Sequence, residues 1–165
     1  MKKNLWIFIL GAAVIIALDQ ITKAAITSRL MLHEAYPVIP GLFNLVYVLN
    51  PGAAFGFLAD ASATFRYVFF TGITVVAAGL IVYYLVKTNP RNLILASSLT
   101  LIFGGAIGNL IDRIRFGSVV DFLDFYLGAA HWPAFNVADS AITVGAALMI
   151  WEMILHRKEK KTKSG

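Results

Sequence analysis

Two aspartates in the second half of the chain, Asp121 and Asp139, have the residue type and the placement that acid–base hydrolysis requires. Asp121 lies in a short segment between two long apolar stretches, and Asp139 lies near the start of the second stretch. Two carboxyl groups about 3 Å apart hold one proton between them, because like charges at that distance cannot both ionise. The ionised member can take a proton from water, while the protonated member polarises a carbonyl and a later step protonates the leaving amine. The pair therefore predicts the chemistry of amide hydrolysis by an activated water.

The sequence offers no second set of residues for hydrolysis. It has no cysteine, which excludes thiol catalysis, thiolate metal sites and a disulfide-stapled fold. No serine–histidine pair is recognisable, and His33 and His131 lack metal-ligand spacing, so no metal and no other cofactor is expected. Asp124 is an additional acid near Asp121, which leaves open which of the two faces Asp139. In a strand, residues two apart share a face, so Asp124 should point away when Asp121 points toward that group.

The composition places these residues in a membrane protein. Of 165 residues, 59% are hydrophobic and only 14% are charged, against about 25% charged in soluble proteins, and the mean hydropathy is +0.76. A hydrocarbon core about 30 Å thick needs roughly 20 apolar helical residues. Four stretches are long enough, and they predict one domain over residues 1–165 with spans at about 4–26, 67–86, 92–112 and 135–155.

The basic residues predict the orientation of these spans. An even number of spans puts both termini on one side, and short segments rich in Lys and Arg stay in the cytoplasm. A cleavable export signal is disfavoured, because no small-x-small site follows the first stretch. The net charge of +5 is then explained by topology and by contact of the tail, residues 156–165, with anionic lipid, not by nucleic acid. Nine of the fourteen basic residues fall on the predicted cytoplasmic side: Lys2, Lys3, Lys87, Arg91, Arg157, Lys158, Lys160, Lys161 and Lys163.

Two segments remain on the outer side, at about residues 27–66 and 116–134. The first is well beyond the usual loop length and should carry structure of its own. Residues Leu42–Leu49 are rich in Val, Leu, Phe and Tyr and precede an Asn-Pro-Gly sequence at 50–52, which predicts a strand and a turn. Val119–Phe125 predicts a second short strand. The expected fold is therefore a mainly α membrane protein with four transmembrane helices and a small β-sheet on the outer face.

Carboxylates from three of the predicted helices are expected at one level, just inside the outer interface. At the helical rise of 1.5 Å per residue, Asp19 and Asp139 each lie about 24 Å from the inner end of their helix, and Asp112 lies about 31 Å from it. A charge inside a membrane helix costs roughly 2.5 to 3.5 kcal/mol, so such residues usually face a cavity or one another. The three helices are therefore expected to share one polar site.

Each polar group also has a simpler structural interpretation. Asp19 and Lys23, four residues apart with the acid first, are as consistent with a structural ion pair as with a site. Asp112 beside Arg113 and Arg115 is at least as consistent with a charge cluster at the interface as with a site. Asn136 suits the cap of a helix whose first turn contains an acid, which the helix dipole favours.

Five short motifs occur in order along the chain, between about residues 15 and 145. They are Asp19-Gln20-x-x-Lys23, Asn50-Pro51-Gly52-Ala53-Ala54-Phe55-Gly56, Gly105-x-x-Gly108-Asn109-x-x-Asp112-Arg113, Val119-Val120-Asp121-Phe122 and Phe135-Asn136-x-Ala138-Asp139-Ser140. Together with the four expected spans, they resemble the motifs of bacterial lipoprotein signal peptidase, also called signal peptidase II or prolipoprotein signal peptidase.

The resemblance implies an aspartic endopeptidase of the bacterial inner membrane that removes the signal peptide of prolipoproteins. It implies cleavage on the amino side of a cysteine that carries diacylglycerol, and inhibition by the cyclic peptide globomycin. By motif, the catalytic residues are Asp121 and Asp139. A monomer in contact with membrane lipids is expected. The positions that line or support the site are, by the same motifs, Asp19, Lys23, Asn50, Gly52, Asn109, Asp112, Arg113, Asn136 and Ala138.

The predicted architecture suits such a substrate. The lipid on the cysteine stays in the outer leaflet while the signal helix lies among the spans, so the scissile bond must reach the outer interface. The sheet and Phe55 are expected to cover the substrate and exclude water. Arg113 and Asn109 share a helix face, where the guanidinium can hold a carbonyl and the amide can bond peptide backbone. Lys23 is expected to brace the first helix against this site.

Two other hypotheses start from the same polar residues. Intramembrane carboxylates also serve as proton relays, which would suit a small proton-coupled transporter. A lipid-binding membrane protein could use the polar cluster to hold a headgroup. The transporter is disfavoured because the acids gather at one end of the spans and the second span has none.

Overall fold

The computed structural model describes residues 2–52, 58, 61–88 and 92–163 of the chain. These residues form four long helices and a small antiparallel sheet, in agreement with the expected fold class. In chain order the elements are α1 (Lys2–Thr27), β1 (Ala35–Ile39), β2 (Phe43–Asn50), α2 (Ala63–Thr88), α3 (Leu93–Phe116), β3 (Val119–Leu127), β4 (Ala130–His131) and α4 (Val137–Lys163).

All four helices contain a segment that is long and apolar enough to cross a membrane: Leu5–Thr27, Ala63–Leu85, Leu93–Phe116 and Val137–Leu155. Many of their large apolar side chains are exposed, as is usual for a surface that contacts lipid. The second segment begins before the expected residue 67, because Ser62 caps α2: its Oγ accepts the Phe65 N–H at 3.2 Å. Arg66 therefore lies within the first turns of α2 and not before it.

Helix α3 packs against α1, α2 and α4 and is the central helix of the bundle. Glycines allow the close approach to α1 and α4. A Cβ on Gly104 would lie 2.9 Å from the Ile15 side chain of α1, and one on Gly105 would collide with the Ala138 carbonyl oxygen of α4. A buried apolar cluster that includes Phe8 of α1 occupies the opposite end of the bundle, near the start of α3. The glycines thus bring the polar ends of three helices together.

The sheet has the strand order β1-β2-β3-β4 and every pairing is antiparallel. Strands β2 and β3 confirm the two predicted strands. Strand β3 begins directly after α3, where Gly117 ends the helix in the left-handed conformation with φ 70°. An isolated bridge between Leu123 and Phe135 joins β3 to the segment that leads into α4. The sheet is therefore held against the ends of α3 and α4.

Strands β1 and β4 were not predicted from the sequence. Strand β1 lies at the edge of the sheet and contains Pro37, a residue that counts against a strand in sequence analysis but is tolerated at an edge. Strand β4 has only two residues and exists through its pairing with β3. Each of these strands is short and pairs with the neighbouring strand in the chain, so its own residues give little local signal.

Candidate active site

Asp121 and Asp139, which we call the dyad, meet at the sheet end of the bundle. Asp121 lies on β3 and is 2% exposed, and Asp139 lies in the first turn of α4. Asn136 bonds to both carboxyl groups. Its side-chain Nδ2 donates to Asp121 Oδ1 at 2.7 Å, and its backbone N–H donates to Asp139 Oδ2 at 3.3 Å. The structure therefore brings the two carboxyl groups to one residue, at the point where strand and helix converge.

The start of α4 is a capping box that also orients one dyad member. Asn136 Oδ1 accepts the Asp139 N–H at 2.8 Å, and the Asp139 carboxyl accepts the Asn136 N–H in return. The interpretation of Asn136 as a helix cap is thus confirmed. The second oxygen of Asp139, Oδ1, accepts a hydrogen bond from Asn109 Nδ2 at 2.7 Å. Both oxygens of this carboxyl group have fixed donors.

Asp121 is held by the turn that follows β2. Asn50 Nδ2 donates to Asp121 Oδ2 at 2.9 Å, while Asn50 Oδ1 accepts the Gly52 N–H at 3.0 Å. The Asn-Pro-Gly turn therefore fixes the amide that contacts the dyad. Burial, followed by the nearby charge of Asp139, raises the pKa of Asp121 to about 7, and the hydrogen bonds from Asn50 and Asn136 oppose this rise. Asp121 can therefore retain a proton near neutral pH.

Lys23 is the centre of a buried network behind the dyad. Its Nζ lies 2.8 Å from Asp19 Oδ2, 2.8 Å from Asp112 Oδ2 and 3.0 Å from Asn109 Oδ1. The expected Asp19–Lys23 ion pair is confirmed. The interpretation of Asp112 as part of a charge cluster with Arg113 is wrong, because Asp112 is 1% exposed and pairs with Lys23 of a different helix. Adjacent residues on a helix point about 100° apart, so sequence neighbours need not share partners.

Gln20 belongs to this network and was not among the predicted site residues. Its Nε2 donates to Asp112 Oδ1 at 2.9 Å, to Asp19 Oδ2 at 3.2 Å and to the Gly108 carbonyl at 3.2 Å. The signal that could have found it was a polar side chain beside Asp19, at the same level of an otherwise apolar span. Burying an amide in a membrane helix requires partners, and these carboxylates supply them.

Asn109 has protein partners on both sides of its amide. Its Oδ1 accepts from Lys23 and from Asn136 Nδ2, and its Nδ2 donates to Asp139. The oxygen and the nitrogen of the amide thus each have a partner in the dyad network, whereas the expectation was that the amide bonds substrate backbone. Asn109 instead orients Asp139.

Arg113 lies beside the dyad on the α2 side of α3. Its guanidinium carbon is 5.6 Å from the centre of the Phe70 ring, and its charge interacts with those of Asp139, Asp121 and Asp112. It forms no salt bridge with any residue in the described part of the chain. A half-buried guanidinium of this kind remains able to bind a further acceptor.

Asp124 belongs to a separate cluster. Its Oδ2 accepts from Asn44 Nδ2 at 2.9 Å, and its Oδ1 lies 2.8 Å from His131 Nδ1. Neither partner belongs to the dyad network, in agreement with the alternation expected along β3. Phe55, which was expected to cover the substrate, lies outside the described residues.

Comparison with known proteins gives consistent results. A family model described as signal peptidase (SPase) II matches residues 11–155. A protein of Syntrophus aciditrophicus (strain SB) named lipoprotein signal peptidase is 52% identical over 97% of this chain and 99% of its own length. One of the same name from Geobacter sulfurreducens is 50% identical over 92% of each chain. A solved structure described as "Bacterial membrane enzyme structure by the in meso method at 2.3 A resolution" superposes with a TM-score of 0.82 and 35% identity, over 93% of this chain and 90% of that one.

Proposed function

Because the chain belongs to the signal peptidase II family, we propose that it is an aspartic endopeptidase that removes signal peptides from diacylglyceryl-modified prolipoproteins. Cleavage falls on the amino side of the modified cysteine. The observation that carries the proposal is that the carboxyl groups of Asp121 and Asp139 both accept hydrogen bonds from Asn136, at one end of a bundle of apolar helices. The names of the similar proteins support the substrate class.

The dyad enters the reaction with one proton, held on Asp121, whose pKa of about 7 permits this at neutral pH. Asp139 takes a proton from a water molecule, and the oxygen of that water forms a bond to the scissile carbonyl carbon as Asp121 protonates the carbonyl oxygen. In the second step Asp139 gives its proton to the leaving nitrogen while Asp121 recovers a proton from a hydroxyl of the intermediate. The carbon–nitrogen bond then breaks, and the dyad returns to its starting state.

Hydrogen bonds around the dyad suit these roles. Asn109 and the Asn136 backbone donate to Asp139 and hold both of its carboxyl oxygens in a fixed orientation. Arg113 is the candidate substrate contact: its planar donors can hold a peptide carbonyl or a lipid ester beside the dyad. The fixed donors keep the carboxyl groups oriented before the substrate arrives, which lowers the cost of reorganisation.

The orientation of the chain follows from its charges. Nine of the fourteen basic residues lie on the side that holds both termini, so that side is cytoplasmic. The sheet and the dyad then lie at the outer interface, where the lipid-modified cysteine of a precursor resides. A reporter fused after Gly165 that is active only in the cytoplasm is the expected result, and activity outside the cytoplasm would contradict this orientation.

The test of the function is cleavage by the purified protein in detergent. A precursor peptide with a diacylglyceryl cysteine is compared with the same peptide without the lipid. We expect cleavage of the modified peptide only, with mass spectrometry locating the new amino terminus on the modified cysteine. Globomycin should stop the reaction. Intact modified peptide in the presence of folded protein would overturn the proposal.

A further inference from the structure

Two buried carboxylates, Asp19 and Asp112, hold the backbone directly before each dyad member. Asp19 Oδ1 accepts the Ala138 N–H at 2.9 Å, one residue before the dyad aspartate of α4. Asp112 Oδ2 accepts the Val120 N–H at 3.1 Å, one residue before the dyad aspartate of β3. The two contacts have the same form, although one is made to a helix and the other to a strand. Each membrane carboxylate therefore fixes the main chain next to one catalytic group.

A single ammonium group joins these two carboxylates. Lys23 Nζ lies 2.8 Å from an oxygen of each, and all three side chains are nearly inaccessible to solvent. Gln20 Nε2 strengthens the bridge by donating to the same two carboxyl groups. The path from one dyad backbone to the other thus runs through one carboxylate, one lysine and a second carboxylate.

We propose that Asp19, Lys23 and Asp112, which we call the backbone clamp, are positioning residues that set the separation of the two dyad carboxyl groups. The inference rests on the proposed function. Strand β3 and helix α4 reach the site independently, and two acids share a proton only while they remain close. A link between the two backbones at the residues just before the acids controls that distance more directly than packing elsewhere in the bundle. Lys23 thereby acts on the reaction without contacting the substrate.

Proton sharing provides the readout that separates positioning from simple stabilisation. Two coupled acids titrate with two apparent pKa values, and the gap between them widens as the coupling strengthens. A looser clamp should bring the two limbs of the pH–rate profile closer together. Four charged groups lie near the dyad, and their charges also affect this profile. They are Asp19 and Lys23 from α1, and Asp112 and Arg113 from α3.

The decisive variant is the double substitution Asp19→Asn with Lys23→Met. It removes one acid and one base, so the formal charge of the clamp stays the same, and the amide oxygen can still accept the Ala138 N–H. Lys23→Met alone is unsuitable because it leaves two buried carboxylates without their cation. We expect kcat on the lipid-modified peptide to fall by about tenfold or more, with KM changed by less than about twofold, because a positioning group acts on the transition state. The two pH limbs should approach each other by about one unit.

A matched control lies at the other end of α4. Glu152 is a buried carboxylate that accepts from Asn92 Nδ2 at 3.0 Å, far from the dyad along the helix. Glu152→Gln should lower the melting temperature but leave both pH limbs in place. If the double variant lowers only the melting temperature, the clamp is merely structural and the inference is overturned. A raised KM with unchanged kcat would overturn it as well, by making Lys23 a substrate contact.

Gln20→Met decides the question if the double variant does not fold. It removes the two shared donors without a change of charge, at a half-buried position. A fall of about threefold in kcat with approaching pH limbs supports the clamp, and an unchanged profile in folded protein overturns it. An inactive wild-type protein would instead overturn the proposed function, so the two failures are distinguishable.

Discussion

Strand β3 carries two aspartates, Asp121 and Asp124. Each accepts a hydrogen bond from an asparagine of β2, but the other group that each carboxyl contacts is different. Asp121 accepts from Asn50 Nδ2 and Asp124 accepts from Asn44 Nδ2, both at 2.9 Å and both from β2. The two aspartates are 2% and 7% exposed. Asp121, however, shares Asn136 with another carboxyl group, whereas Asp124 lies against His131. Asp121 and Asp124 thus share the residue type, the strand and an asparagine donor. They differ in the titratable neighbour, which is a second carboxyl group for Asp121 and an imidazole for Asp124.

The comparison indicates which feature would suit Asp121 to the proton transfer that we propose. Burial and the nearby charge of Asp139 raise the pKa of the Asp121 carboxyl to about 7, so this group keeps its proton at lower pH. Asp124 lies against an imidazole, with which it can form an ion pair that needs no shared proton. Burial and an asparagine donor are common to both clusters, so they are insufficient on their own.

Removal of the carboxyl groups should give the largest difference in activity between the dyad and the Asp124–His131 cluster. Asp121→Asn and Asp139→Asn should each lower kcat/KM by about 10²- to 10⁴-fold, because each removes a proton donor or acceptor from the reaction. Asp124→Asn should keep most of the activity. Cleavage of the lipid-modified peptide measures the rates, and thermal melts establish that each variant is folded.

Two outcomes would break the comparison. A folded dyad variant that retains about a tenth of the wild-type turnover would remove that residue from the catalytic role, because general acid–base groups contribute more than this. An active Asp121→Asn together with an inactive Asp124→Asn would mean that the loop acid of the dyad is misassigned.

The pH dependence should also belong to the first cluster alone. The pKa of Asp121 is raised from 3.8 to about 7 by burial and by the charge of Asp139, so the active form with one shared proton is lost as the pH rises. We expect kcat/KM to fall by about tenfold per pH unit above about pH 7, and to fall again in acid when both carboxyl groups are protonated. Asp124→Asn should have the same profile. A profile that stays level well above pH 7 would contradict the shared proton.

The raised pKa of Asp121 also has a consequence for stability. The folded state holds this proton more tightly than the unfolded state does, so the contribution of Asp121 to stability is lost as the pH rises from about 4 to about 7 and is constant above. Melting temperatures across this range should fall less steeply for Asp121→Asn than for the wild type. An equal slope in the two proteins would argue against the raised pKa.

The two asparagine donors provide a smaller contrast. Asn50→Ala removes a hydrogen bond to Asp121 and the contact that forms the turn at Gly52, so kcat should fall by about five- to tenfold, which is within the range of an ordinary hydrogen bond. Asn44→Ala should change kcat by less than about twofold, although it removes the equivalent bond to Asp124. Equal effects in the cleavage assay would show that the donors act on the sheet and not on the dyad.

The sequence predicted much of this arrangement because its signals are local or belong to motifs. Uncharged stretches located the four helices, and the apolar runs of β2 and β3 located the central strands. The motif resemblance predicted the family that the comparisons confirm. The depth estimate placed Asp19, Asp112 and Asp139 at one level, and the hydrogen bonds of the network join their helices there.

What the sequence did not predict depends on how the helices face one another. The sequence left open whether Asp112 belongs to the site or to a charge cluster with Arg113, and the helix turns Asp112 toward α1 and Arg113 toward Phe70 of α2. The role of Gln20 as a donor to two carboxyl groups likewise requires the close approach of α1 and α3. Local periodicity shows which residues share a face, but not which helix that face meets.

The second cluster should respond least of all when its histidine is replaced. His131 stacks on the Tyr126 ring at 4.9 Å between centroids, and its side chain is 51% exposed. An ion pair with one exposed partner is screened by water, so His131→Gln should change the free energy of unfolding by less than about 1 kcal/mol. The effect should shrink further at high salt. Denaturation at low and high salt measures the change in the free energy of unfolding. Cleavage of the lipid-modified peptide should be unchanged. A tenfold loss of cleavage in folded His131→Gln protein would mean that the two carboxylates of β3 are coupled through the strand, because a screened pair of this kind cannot reach the dyad by charge alone.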